Sequence, residues 1–150
     1  AAVKAGKAGQ PGQLRGAVTG TAVLGTIEKN TQQGVFGTVT AAWEGEAVET
    51  ATWDQVHTGR AEIRSNVRGD RVETFQVEIL KLYTPDNNRS FLLKVTDPEL
   101  LDCTGGIVQG MSGSPILQNG RLIGAVTHVL VNDPTTGYGI FIENMLDAAA

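Results

Sequence analysis

The chain has 150 residues, 41% of them hydrophobic and 19% charged, the ordinary make-up of one globular domain with a sizeable core. Its net charge of −4 and the lack of a basic stripe with interleaved aromatics argue against nucleic acid or an anionic membrane as partner. A single cysteine, Cys103, excludes an internal disulfide, and no apolar run approaches the length of a membrane-spanning helix.

Nineteen glycines favour tight turns and short strands over helix packing. Residues 4–16 are rich in turn formers and offer little to bury. Val18, Ala22, Val23, Leu24 and Ile27 make 17–28 a strand interrupted at Gly20 and Gly25, and 34–39 a second, short one. Residues 43–59 are polar and ambiguous. Residues 60–67 alternate, 68–70 turn the chain, and 72–83 alternate again with one slip, as half-buried antiparallel strands do. Residues 85–88 form a turn cluster and 90–95 return as strand. Asp97-Pro98 opens one helical turn over 97–102, with Asp97 as N-cap. Residues 114–117 and 121–130 form a hairpin through Asn119-Gly120. A further turn is expected at 133–137 and an amphipathic helix over 140–149, facing inward through Phe141, Met145 and Leu146. Short strands at this spacing predict an all-β barrel or sandwich.

The most informative run is Thr104-Gly105-Gly106-Ile107-Val108-Gln109-Gly110-Met111-Ser112-Gly113-Ser114-Pro115. A serine hydroxyl becomes a nucleophile only in a tight turn beside a base and oxyanion donors. By itself such a loop is more often a structural turn. The spacing Gly-x-Ser-Gly-x-Pro is that of the nucleophile loop of trypsin-like peptidases. Fifteen residues beyond Ser112, after a strand and a hairpin turn, stands Gly124-Ala125-Val126-Thr127-His128. Trypsin-like enzymes show the same succession, with that last strand lining the specificity pocket. The resemblance makes Ser112 the nucleophile, the amides of Gly110 and Ser112 the oxyanion hole, and Thr127 and His128 the border of the bound peptide.

The runs at 7–14, 27–31, 34–37, 59–63, 96–98 and Thr127-His128-Val129-Leu130-Val131-Asn132-Asp133-Pro134 extend the likeness. With them, the chain from about Lys4 to Leu146 resembles the SpoIVB peptidases of endospore-forming bacteria. That resemblance implies a trypsin-like double β-barrel, incomplete at the N-terminus, with a short C-terminal helix. It implies one partial peptidase domain over residues 1–150, without the PDZ domain and the membrane anchor that family members carry. It further implies no cofactor, a location between forespore and mother cell, and a protein substrate that regulates an intramembrane protease. Asp97 matches the family acid, although Asp-Pro is equally a plain helix start; Asp102 and Asp133 are lesser candidates. The family histidine falls upstream of the run at 7–14, so the isolated chain is expected to be nearly inactive.

Two histidines remain. His57 reads as a surface residue; His128 reads as a pocket wall, a satisfied core histidine or a substitute base. Cys103, His57 and His128 lack ligand spacing, so no metal is expected, and Gly6-Lys7-Ala8-Gly9 lacks the strand and helix of a phosphate loop. Cys103 has no adjacent base to make it a nucleophile. The alternative function is a non-catalytic peptide-binding module of degenerate or autoprocessed peptidase fold, and a third reading is a structural β-domain.

Overall fold

The computed structural model describes residues 2–42 and 44–150. Six strands close into an antiparallel barrel in the order β10-β7-β6-β5-β8-β9: β5 (Gly59–Ser65), β6 (Glu73–Leu82), β7 (Phe91–Val95), β8 (Pro115–Gln118), β9 (Arg121–Leu130) and β10 (Asp133–Phe141). Before the barrel come two separate two-stranded ribbons, β1 (Ala2–Lys4) with β2 (Gln13–Arg15), and β3 (Gly25–Thr31) with β4 (Gly34–Val39). In the ambiguous stretch 43–59, whose first residue lies outside the described residues, Trp53–Gln55 forms a short 3₁₀ turn and Gly59 opens β5. Two helices complete the chain, α1 (Pro98–Thr104) and α2 (Ile142–Ala149). The fold is mostly β, as expected, with one closed barrel among the described residues and an open N-terminal part. Among the described residues no helix is long and apolar enough to cross a membrane.

Period-two alternation builds the barrel core. Ala61 and Ile63 on β5, Phe75, Val77 and Ile79 on β6, and Phe91, Leu93 and Val95 on β7 all point inward and are buried. The slip in the pattern of β6 is a register shift against β7 between Ile79 and Lys81, one residue of extra chain that bends the strand. Closure brings β10 hard against β7. A Cβ at Gly139 would lie 2.4 Å from the Phe91 ring, so only glycine fits there.

Three expectations need correction. Residues 16–24 form no strand; β3 begins only at Gly25, and Val18 and Val23 are 96% and 80% exposed. Apolar residues cannot make a strand without a neighbour to take their backbone bonds. The turn placed at 133–137 lies earlier, at Val131-Asn132, and β10 starts at Asp133. The Asp133 carboxylate accepts from the Thr135 amide (3.2 Å) and from the hydroxyls of Thr135 (2.6 Å) and Thr136 (2.8 Å), so turn formers here brace the start of a strand. The last helix starts at Ile142 rather than 140, because Ile140 and Phe141 finish β10 in the core; Leu146 is half exposed.

Candidate active site

The serine loop, residues 105–114, leaves α1 and enters β8 as a series of anchored turns. Met111 N donates to Val108 O (3.1 Å), Ser114 N to Met111 O (3.0 Å) and Gly113 N to Val126 O (2.8 Å). The Met111 side chain is wholly buried in the core, which turns its neighbours Gly110 and Ser112 outward. Ser114 Oγ adds a bond to Ser65 Oγ on β5 at 3.2 Å. Against this pattern, the amides of Gly110 and Ser112 have no acceptor among the described residues. Unpaired donors at a serine and two residues before it are the arrangement an oxyanion requires. Gly110 has φ +104°, a conformation that suits glycine, and its missing Cβ leaves room for Leu14.

Ser112 Oγ donates to the Thr127 carbonyl at 3.2 Å. The fifteen-residue spacing thus brings the two residues into contact, since β8 and the Asn119-Gly120 hairpin return the chain along β9. Asn119 and Gly120 have φ of 51° and 75°, as a two-residue hairpin of this type needs. Thr127 Oγ1 donates to Tyr138 O (3.2 Å) and lies 2.9 Å from His128 Nδ1. With its proton on Tyr138, the hydroxyl accepts from Nδ1–H, which leaves Nε2 as the acceptor of the ring.

Ser112, Gly113, Ala125, Val126, Thr127 and His128 line one side of a groove of about 470 Å³. Its other side is the β3–β4 turn, residues 31–35, with Ile140 and Met145 at the base and end. The β3–β4 turn and α2 were invisible as site elements in the sequence, because nothing local ties them to the serine. Polar bonds hold that wall: Gln33 Nε2 to Asn88 Oδ1 (3.0 Å), Asn88 Nδ2 to Gln32 Oε1 (3.4 Å), and Lys29 Nζ on the carbonyls of Ala148 and Ala149 (3.4 Å each). A cation at the carbonyl end of α2 also suits the helix dipole.

The other singled-out residues stand apart from this groove. Asp97 is the N-cap of α1, as its Asp-Pro sequence indicates. Its Oδ1 accepts from the amides of Glu99 (3.0 Å) and Leu100 (3.3 Å) and its Oδ2 from that of Gln76 (3.0 Å). It is not among the residues lining the groove. Asp133 is committed to the β9–β10 turn, where the hydroxyls of Thr135 and Thr136 hold its carboxyl below the usual carboxylate range. Asp102 is exposed on α1. His57 sits at the far end of β8 from Ser112; its backbone N–H donates to the buried Gln118 (2.9 Å) and its side chain faces solvent. Among the described residues no three His, Cys, Asp or Glu side chains gather as a metal site.

The SpoIVB peptidase S55 family matches residues 1–146. The chain belongs to this family. The barrel is similar to two solved structures of the Rv3671c protease. The active form, from M. tuberculosis, has 17% identity and a TM-score of 0.60, over 82% of this chain and 55% of that one. The inactive form has 16% identity and a TM-score of 0.58, over 84% and 67%. This chain of the S55 family therefore has the trypsin-like fold, and it spans about half the length of the first of these structures. No curated protein matches it.

Proposed function

We propose that this chain is the nucleophile-bearing part of a serine endopeptidase. Ser112 attacks the scissile carbonyl, the amides of Gly110 and Ser112 stabilise the oxyanion, and Thr127 and His128 border the peptide. The observation that carries this reading is the pair of amides without acceptors, at Ser112 and two residues before it, on an exposed serine that lines a groove. The base is a histidine upstream of Ala1, as the family resemblance implies. Among the described residues no histidine is hydrogen-bonded to Ser112 Oγ, whose proton rests on a backbone carbonyl. Asp97 as the triad acid has only the resemblance behind it; three backbone amides already occupy its oxygens, and the geometry favours its capping role. By the same resemblance the enzyme works between forespore and mother cell on a protein that regulates an intramembrane protease.

A fluorophosphonate probe tests the assignment. With the upstream segment present it labels Ser112, and S112A abolishes both labelling and cleavage, lowering kcat about 10⁶-fold as removal of a triad serine does. The isolated 150-residue chain labels slowly or not at all. Rapid labelling of the isolated chain would overturn the upstream base and make His128, with Nε2 free to accept, the base. The second reading, a peptide-binding module, is favoured by the Ser112–Thr127 bond. Under it, S112A leaves peptide binding intact and no cleavage exists to be lost.

A further inference from the structure

The glycine- and proline-rich run at residues 4–16 has no part in the chemistry above, yet it clasps the nucleophile loop. Gly6 N donates to Thr104 O (2.8 Å), Gln109 N to Gly12 O (2.9 Å) and Leu14 N to Gln109 O (2.7 Å). Gln13 Nε2 adds a bond to Gln109 Oε1 at 3.2 Å. β2 thus runs parallel beside Gln109, one residue before the first oxyanion donor.

The bond from Leu14 N has a chemical consequence. The Gln109 carbonyl and the Gly110 N–H belong to one planar trans peptide, so they point in opposite directions. Whatever grips the carbonyl also aims the N–H. At a glycine with φ +104° a rotation of that peptide meets little steric resistance, so its orientation must come from outside the loop. Leu14 supplies it: its amide holds the Gln109 carbonyl, and it packs so closely that a Cβ at Gly110 would lie 2.9 Å from Leu14 Cβ, so the position admits only glycine.

We propose that Leu14 is a positioning residue for the oxyanion hole, its backbone N–H holding the Gln109–Gly110 peptide with the Gly110 amide turned to the reacting carbonyl. This rests on the reading of Ser112 as a peptidase nucleophile. The clasp explains why a run with little to bury is part of the sequence likeness: its glycines and proline bend the chain so that two of its amides and one carbonyl reach the loop. It also makes the oxyanion hole conditional, present while β2 is seated and lost when it lifts.

The test uses the peptidase with its upstream segment in place. L14P removes the N–H; L14A keeps it and removes the side chain. L14P is expected to lower kcat about 10²-fold, the scale of one lost oxyanion donor, with KM within twofold of wild type. L14A is expected to keep kcat within about threefold, since its N–H remains. Circular dichroism establishes that both variants are folded at the assay temperature. Equal losses in the two variants, or a raised KM at unchanged kcat, would overturn the proposal. A wild type that no fluorophosphonate labels would overturn the reading of Ser112 itself, and the proposal with it. A measurement on unmodified sequence covers the case where L14P does not fold. A peptide boronate, whose tetrahedral serine adduct places an oxygen at the Gly110 amide, should slow hydrogen exchange of the Leu14 amide about tenfold, because coupling between sites is reciprocal. An unchanged exchange rate would overturn the clasp.

Discussion

The closed barrel and the β3–β4 ribbon are built from similar apolar β-formers and reach opposite outcomes. In the barrel each strand has two neighbours, and Ile63, Phe91 and Leu93 are completely buried. In the ribbon each strand has one neighbour, and Ile27, Val35 and Val39 stay 70%, 57% and 55% exposed. The ribbon's open face, with Val23, Leu24 and Ala149, forms a trough of about 660 Å³, larger than the groove at Ser112. Two strands cannot bury a face between them; closure can. Ser112 is mounted on the part that stabilises itself, and the ribbon contributes only one wall of the groove.

The sharpest way to break this contrast is truncation in the two places. Phe91→Ala in the barrel should cost about 3–5 kcal/mol in urea unfolding, because it empties the contact with Phe141 (ring centroids 5.6 Å apart) and leaves a cavity. Next in size, Asp97→Ala should cost about 1–2 kcal/mol, since it removes the cap of α1 and frees the Gln76 amide. A variant with unchanged stability and lost cleavage would instead restore Asp97 to the triad.

Acid acts on the barrel through two carboxylates. The hydroxyls of Thr135 and Thr136 hold Asp133 below its ordinary value, and the Arg68 and Arg71 guanidinium groups do the same for Glu73. A depressed folded pKa means stability that is present above the ordinary carboxylate range and lost as pH falls through the folded value. Thermal melts should therefore show stability falling below about pH 4, and Asp133→Asn should flatten that limb. Glu73 lies at the β5–β6 turn, where it also joins Arg68, itself bonded to Glu99 of α1 (3.1 Å). Smallest of all, Ile27→Ala in the ribbon should change the stability of this chain by no more than about 0.5 kcal/mol. The same substitution becoming costly in a longer form of the protein would show that the open face is covered there.

Much of the barrel was legible because its signals are local. Alternation over 60–67 and 72–83, the Asn119-Gly120 turn and the Asp97-Pro98 helix start each depend on a few consecutive residues. The errors fall where a neighbour decides. Residues 17–24 carry Val18, Val23 and Leu24 but have no strand beside them, and 133–137 carry turn formers that Asp133 bonds into the start of a strand. The candidate site divides the same way. Spacing and resemblance single out Ser112, Thr127 and His128, which share one groove, whereas Val35, Met145 and the Leu14–Gln109 bond are contacts between distant segments.

From the order of residues alone came the strand pattern, the loop Gly110-Met111-Ser112-Gly113 and its fifteen-residue distance to Thr127. Periodicity, turn chemistry and glycine's backbone freedom act within a few residues, so they can be read in line. Tertiary structure alone decided which amides of that loop stay free, that Asp97 spends its carboxylate on a helix and on Gln76, and that the run at 4–16 grips Gln109. Hydrogen-bond partners and burial depend on what closure of the barrel brings alongside, and closure joins residues far apart in the chain.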